Sequence, residues 1–386
     1  MKFYRLNNSN QKVLNFVLLT GNHLRCLPYS NLGGMEQTAE AIYEIIKDYQ
    51  CDYGARKFEI TIEHIIIWAN QFGEDGAFVL EELLHFLPSI YISKEKAKDL
   101  LRNRLAEIMK FYKYPNMNVL VENTHFFDMQ IANKSQPELL EIIDDILQTE
   151  HMINYKDFAD SPKRNFIYFD DILATGGTVF KDLKTWLSEK EDGTNENYKA
   201  VLANTKTIAV SLFCYHQLGY GNMQYRLMKE FDDAIKKKLI VGADYVIENQ
   251  VKWPTQNLNC LYPIKEQSGA ALEYLAKLEE VSERVSAFRP LNMPKNETFF
   301  SSPENRLKLE SIFLEKGLEL LAKIKSENPD KRKRPLGDAV RSHKTFGTRT
   351  LFFTWRNISN TCPLVFWWDV PGHNWTPLFC VKNRGL

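Results

Sequence analysis

Apolar residues in the first third of the chain recur at the three-to-four spacing of amphipathic helices. After the Gly33-Gly34 break, Ala39, Ile42, Ile45, Ile46 and Tyr49 form one stripe over residues 35–49, and a second helix is predicted over 64–72. Phe78, Leu80, Leu83, Leu84 and Leu87 keep the helical spacing, and Pro88, which has no N–H for the ladder, should end that helix. Ser93 is placed to cap a long helix towards Tyr112, with Ala97, Leu101, Leu105, Ile108 and Tyr112 inward.

From about residue 118 the pattern changes to short apolar runs alternating with amphipathic helices, as in a parallel sheet covered on both faces. Residues 119–121, 126–129, 166–169 and 207–214 read as strands. Residues 137–147 (a helix opening after Ser135), 178–187 and 223–237 read as helices. Such a βαβ series predicts right-handed crossovers. Beyond residue 250 a helix is expected over 303–324, and the apolar runs 351–355 and 363–368 should add strands to a sheet or cap its mouth. The organisation expected is a helical region (1–115), an α/β core (116–250) and an extension (251–386) packed on the same core.

Composition narrows the classes. The chain has 386 residues, 44% of them apolar, which excludes disorder and allows one large core or two modest ones. Lys plus Arg and Asp plus Glu number 49 each, so any nucleic-acid contact must come from a local patch. The run Lys331-Arg332-Lys333-Arg334 is such a patch, or else a solvated loop. Lys236, Lys237 and Lys238 suit the negative end of a helix. The six cysteines (Cys26, Cys51, Cys214, Cys260, Cys362 and Cys380) form no CxxC pair and point to reduced thiols in a cytosolic protein rather than zinc or disulfides. The apolar stretches 16–19 and 65–68 are too short for a signal peptide or a membrane span. His343 and His373 stand alone and read as structural. Arg356, Asn357 and Asn360, between Trp355 and Trp367-Trp368, either line an aromatic pocket for a base or form a core edge with a turn.

The chemistry concentrates in residues 166–178, Phe-Ile-Tyr-Phe-Asp-Asp-Ile-Leu-Ala-Thr-Gly-Gly-Thr. A buried parallel strand delivers its next residues to the carboxyl edge of the sheet, where ligands of open α/β folds bind. Ionised Asp170 and Asp171 are acceptors suited to the 2- and 3-hydroxyls of a ribose. After Ala174, the Gly176-Gly177 pair permits positive φ and close backbone approach, so that N–H groups and the start of a helix wrap a phosphate, with Thr175 and Thr178 adding hydroxyls. A plain strand-to-helix turn is the bland alternative.

This segment resembles, position for position, the phosphoribosyl pyrophosphate motif of type I phosphoribosyltransferases. The resemblance implies a sheet of that type and a ribose 5-phosphate-containing substrate, with Asp170 and Asp171 catalytic and on the ribose. It also implies Mg²⁺ bridging ribose and pyrophosphate at these acids. In that fold a pyrophosphate loop follows an earlier strand and opens a helix, where this chain has residues 132–137; Lys134 and Ser135 would then bind the leaving group, or else serve as a surface charge and an N-cap.

A wider likeness runs from about Glu63 to the end: Trp68 with Gln71-Phe72, Tyr91-Ile92-Ser93-Lys94, Phe300-Ser301-Ser302 with Arg306, and the tail from Phe346-Gly347 through Trp355-Arg356-Asn357 to Trp375-Thr376-Pro377. It resembles phosphoribosyltransferase-like effectors of bacterial conflict systems. That resemblance implies a toxic antiphage effector, retron-associated, held in check by a reverse transcriptase and its RNA–DNA hybrid. The competing readings are a non-catalytic nucleotide-sensing subunit and a salvage phosphoribosyltransferase, although the chain is about twice the usual salvage length and shows no recognisable base-binding hood.

Overall fold

The computed structural model describes residues 34–51, 58–132, 134–158, 161–190, 195–251, 257–265, 269–278, 285–325 and 330–381. The stretch 16–19, Cys26, Gly33 and Asn133 lie outside the described residues.

The helical start folds much as its stripes predict. α1 (Met35–Ile46) buries Ala39, Ile42 and Ile46, and α2 (Ile62–Asn70) is capped by Thr61, whose side chain accepts from the His64 amide. α3 (Gly76–Ile90) runs through Pro88 instead of stopping there. The proline removes one ladder bond only in the last turn, where the Ser89 hydroxyl donates to the Phe86 carbonyl (2.7 Å) and the Tyr91 amide to Leu87. After β1 (Tyr91–Ile92), Ser93 caps α4 (Lys94–Tyr112) by accepting from Lys96 N–H, as its position predicts.

The α/β core follows as α5 (Met117–Asn123), β2 (Thr124–Phe126), α6 (Ser135–His151), β3 (Asn165–Leu173), α7 (Gly177–Ser188), α8 (Asn197–Leu202), β4 (Thr207–His216), α9 (Gln217–Glu230), α10 (Ile235–Lys238) and β5 (Leu239–Ile247). Strands β2-β3-β4-β5 form one sheet in that order, all parallel. Residues 119–121 are helical, not a strand. The Asn116 side chain caps α5 at the Val119 amide (3.0 Å), and the true strand begins only at Thr124.

α4 and α6 pack with Ile167 and Phe169 on one face, whereas α7 and α9 pack with Phe166, Tyr168 and Val210 on the other. The helices α6 and α7 therefore cover opposite faces of the sheet.

Beyond the sheet lie α11 (Gly269–Lys277), α12 (Pro303–Ala322), β6 (Phe353–Thr354), β7 (Asn357–Ile358) and α13 (Leu364–Trp367). The late apolar runs supply the short β6, which pairs in parallel with β1, and α13 where a strand or cap was expected. α1, α2, α3, α12 and α13 share one apolar cluster that includes Trp68, Trp367 and Trp368. Full burial of each such large side chain contributes roughly 1.5–3 kcal/mol or more. The first and last described helices are thus built into one core.

The basic run at 331–334 is split, with Lys331 and Arg332 exposed and the two residues after them packed inward. Arg332 pairs with Asp330 (2.7 Å), Lys333 lies over the rings of Trp367 and Trp368, and Arg334 is buried. No disulfide joins Cys51, Cys214, Cys260, Cys362 or Cys380. Among the described residues no helix is long and apolar enough to cross a membrane.

Candidate functional site

β3 does not end at Phe169 but pairs with β4 as far as Leu173 opposite Tyr215, so both aspartates belong to the strand itself. Asp171 and the opposite Phe213 are unpaired in that ladder, as are Phe213 and Asp244 in the next, so pairing is interrupted along one row beside the acids. The two carboxylates have different surroundings.

Asp170 is 5% exposed. Its Oδ1 accepts from the Ser135 hydroxyl and from the Asp171 amide (2.9 Å), and its Oδ2 accepts from Gln130 Nε2 (3.2 Å). The Tyr168 hydroxyl, with one proton to give, lies 3.4 Å from Asp170 and 2.7 Å from Asp182. Burial pushes Asp170 up to about 8, the charge of Asp171 adds to the rise, and the Ser135 hydrogen bond opposes it. Burial likewise raises Asp182. Gln136 accepts the amides of Met129 (2.6 Å) and Gln130 (3.1 Å) while donating to the Phe169 carbonyl (3.3 Å). The segment after β2 is thereby pinned to β3.

Asp171 is partly exposed. Its Oδ1 accepts from the Ile172 amide (2.7 Å), and its Oδ2 lies 3.3 Å from Arg356 Nη1. Arg356, 5% exposed in the turn between β6 and β7, makes a two-point pair with Glu138 of α6 at 2.9 and 3.0 Å. Trp355, Trp367 and Trp368 around this run are buried, as the core-edge reading expects, and Arg356 clamps α6 to the acid strand.

The loop 174–176 turns sharply. Gly176 has φ +76°, precedes α7 and supplies no side-chain cap. The opening amides of α7 have no acceptor within their own helix, and the positive dipole end faces the same way. Thr175 and Gly177 are partly exposed and Thr178 is exposed. From α9, the Asn222 side chain donates to the Thr175 carbonyl (2.8 Å), and Gly219 packs so closely that a Cβ there would lie 1.9 Å from the Ala174 oxygen. At the start of α6, Ser135 does not cap; it is turned to Asp170, while Lys134 holds the cap position with an exposed side chain.

Ala174, Thr175, Gly176, Gly177, Thr178, Asp170, Asp171 and Ser135 thus gather at one edge of the sheet, with Lys134 at the same helix start. Gln130, Gln136, Glu138, Gly219, Asn222 and Arg356 were not foreseen in these roles. A single sequence carries no signal for them, because their roles arise from pairings across the sheet.

Among the described residues, no group of three or more His, Cys, Asp or Glu side chains gathers to hold a metal. Asp170 is enclosed by donors and Asp171 faces a guanidinium. These residues do not fit a resident divalent ion, but they fit one arriving on a polyphosphate, which keeps its waters and needs only one or two carboxylates.

A cleft of about 1280 Å³ lies beyond the Arg356–Glu138 clamp, lined by six acids (Glu44, Asp48, Glu95, Glu138, Glu141 and Asp145) and three lysines (Lys47, Lys94 and Lys98). Its excess of carboxylates disfavours an anion. A family model described as PRTase-CE matches residues 65–381. No curated protein and no solved structure matches the chain.

Proposed function

From the fact that this chain belongs to the PRTase-CE family, and is therefore phosphoribosyltransferase-like, we propose that it binds a ribose 5-phosphate-containing substrate and acts at its C1 as a transferase-type enzyme. One observation carries this reading: the uncapped, left-handed Gly176 turn opens α7 at the sheet edge, directly after the two aspartates.

The phosphate sits on the free amides of that turn, helped by Thr175 and Thr178. Asp171 accepts a ribose hydroxyl. Asp170, fixed by Ser135 and Gln130, holds the strand beneath it. Lys134 offers a cation to a leaving pyrophosphate, so that positive charge can build at C1 while an acceptor attacks. Mg²⁺ bound with the substrate would neutralise pyrophosphate charge, with Asp171 the carboxylate available to it.

The resemblance to conflict-system effectors supports a finer proposal: an antiphage effector, toxic when released from a reverse transcriptase and its RNA–DNA hybrid. Purified protein should release pyrophosphate from phosphoribosyl pyrophosphate or consume cellular nucleotides on infection. Asp170→Asn with Asp171→Asn should abolish turnover and toxicity while the fold persists; retained turnover in the double variant would remove the enzymatic reading. A second reading, a nucleotide-sensing subunit without turnover, draws on the guanidinium already paired with Asp171. Binding of ribose 5-phosphate with no product formed would favour it.

A further inference from the structure

The face of α9 turned to the loop is a stripe. Gly219, Asn222, Met223 and Arg226 are spaced as i, i+3, i+4 and i+7, which places them on one side of the helix. The first three hold the loop: Gly219 against Ala174, Asn222 on the Thr175 carbonyl, and Met223 against Gly176. Arg226 completes the stripe beside the opening turn of α7. Its guanidinium lies 3.8 Å over the Phe180 ring, and a Cβ built on Gly177 would stand 3.9 Å from its Nη1.

Among the described residues Arg226 makes no ion pair, unlike Arg104, Arg289, Arg306, Arg332 and Arg356, and, unlike Arg334 and Arg349, which also make none, it has no hydrogen bond to a carbonyl. Stacking on Phe180 fixes the planar group without neutralising it. A fixed, unneutralised guanidinium next to uncapped amides is complementary to a phosphate dianion, which Arg recognises with two parallel hydrogen bonds.

Resting on the phosphoribosyl reading above, we infer that Arg226 is the charged ligand of the substrate's 5-phosphate, contributed by α9 from outside the acid-and-glycine motif. The site then has two walls, α7 supplying backbone dipoles and α9 supplying the cation. Discrimination for phosphorylated over unphosphorylated ribose comes chiefly from Arg226.

The test is calorimetric binding of ribose 5-phosphate to the full chain and to Arg226→Lys, Arg226→Gln, Arg226→Ala and Asp171→Asn, with the ligand-free melting temperature of each. Arg226→Ala should weaken binding roughly 10- to 100-fold, with the ligand-free melting temperature lowered only by the lost stacking on Phe180, and Lys should recover more affinity than Gln. Wild-type affinity in Arg226→Ala, or equal affinities for Lys and Gln, would overturn the assignment. The Lys and Gln pair decides if the alanine variant does not fold. If Asp171→Asn weakens binding but Arg226→Ala does not, only this inference fails. If the wild type does not bind ribose 5-phosphate, the phosphoribosyl reading fails with it.

Discussion

Burial disfavours the charged form of a carboxyl group, and Asp170 is pushed up to about 8, chiefly by burial and next by the charge of Asp171. An unfolded aspartate ionises near pH 4. Between those two values the folded chain binds a proton that the unfolded chain has released, so this residue favours folding most at low pH and progressively less as pH rises. The slope is about 1.4 kcal/mol per pH unit at most. Asp170→Asn should remove that component: urea unfolding from pH 5 to pH 8 should show stability falling with pH more steeply in the wild type than in the variant. His216 works in the opposite sense. It is lowered to about 3 by burial and by Arg349, so its contribution is complete above its ordinary value near 6.5 and is lost as pH falls below it. His216→Gln should flatten the acid limb of the same profile. At this scale the sequence was informative about Asp170, Asp171 and the glycine turn, because the motif is contiguous. It was silent on which acid is buried, since that depends on Ser135 and Gln130 arriving from another helix start.

At the level of elements, the loop is shaped by contact with α9 as much as by its own residues. A Cβ on Gly219 would overlap the Ala174 oxygen at 1.9 Å, and only a shift of backbone could relieve it. Gly219→Ala should therefore cost about 1–3 kcal/mol of stability and move the loop, weakening ribose 5-phosphate binding. Gly177 behaves differently, since a Cβ on it would meet nothing closer than 3.7 Å. Gly177→Ala should melt like the wild type and yet bind the sugar phosphate more weakly, because the new methyl group intrudes where the ligand meets backbone. Wild-type binding in Gly177→Ala would place the phosphate elsewhere. Helix stripes were readable in α1, α3 and α4, where burial follows the three-to-four spacing over several turns. Residues 119–121 deceived because one short turn of β-branched and aliphatic residues looks alike in a strand and in a buried helix, and Asn116 decides the matter locally.

Across the whole molecule, the last part of the chain is brought back to the first. β6 lies beside β1, and the turn after it carries Arg356 to Glu138 and Asp171. The apolar runs 351–355 and 363–368 suggested added strands or a cap, but no local pattern announces which strand they meet, because pairings this distant in sequence leave no periodic trace. The clamp poses a functional question, since Asp171 cannot serve a sugar hydroxyl if Arg356 holds it tightly. Geometry favours a weak hold. Arg356 meets Glu138 by two bonds at 2.9 and 3.0 Å but Asp171 by one at 3.3 Å, and Asp171 also retains some exposure. Double-mutant cycles by urea unfolding, pairing Arg356→Met with Glu138→Gln and separately with Asp171→Asn, should give a coupling of about 1–3 kcal/mol for Glu138 and under about 1 kcal/mol for Asp171. Equal or reversed couplings would make Asp171 a structural counter-ion and transfer the ribose contact to another group. With the predicted order, Glu138 anchors the guanidinium while Asp171 can exchange it for a hydroxyl of the substrate.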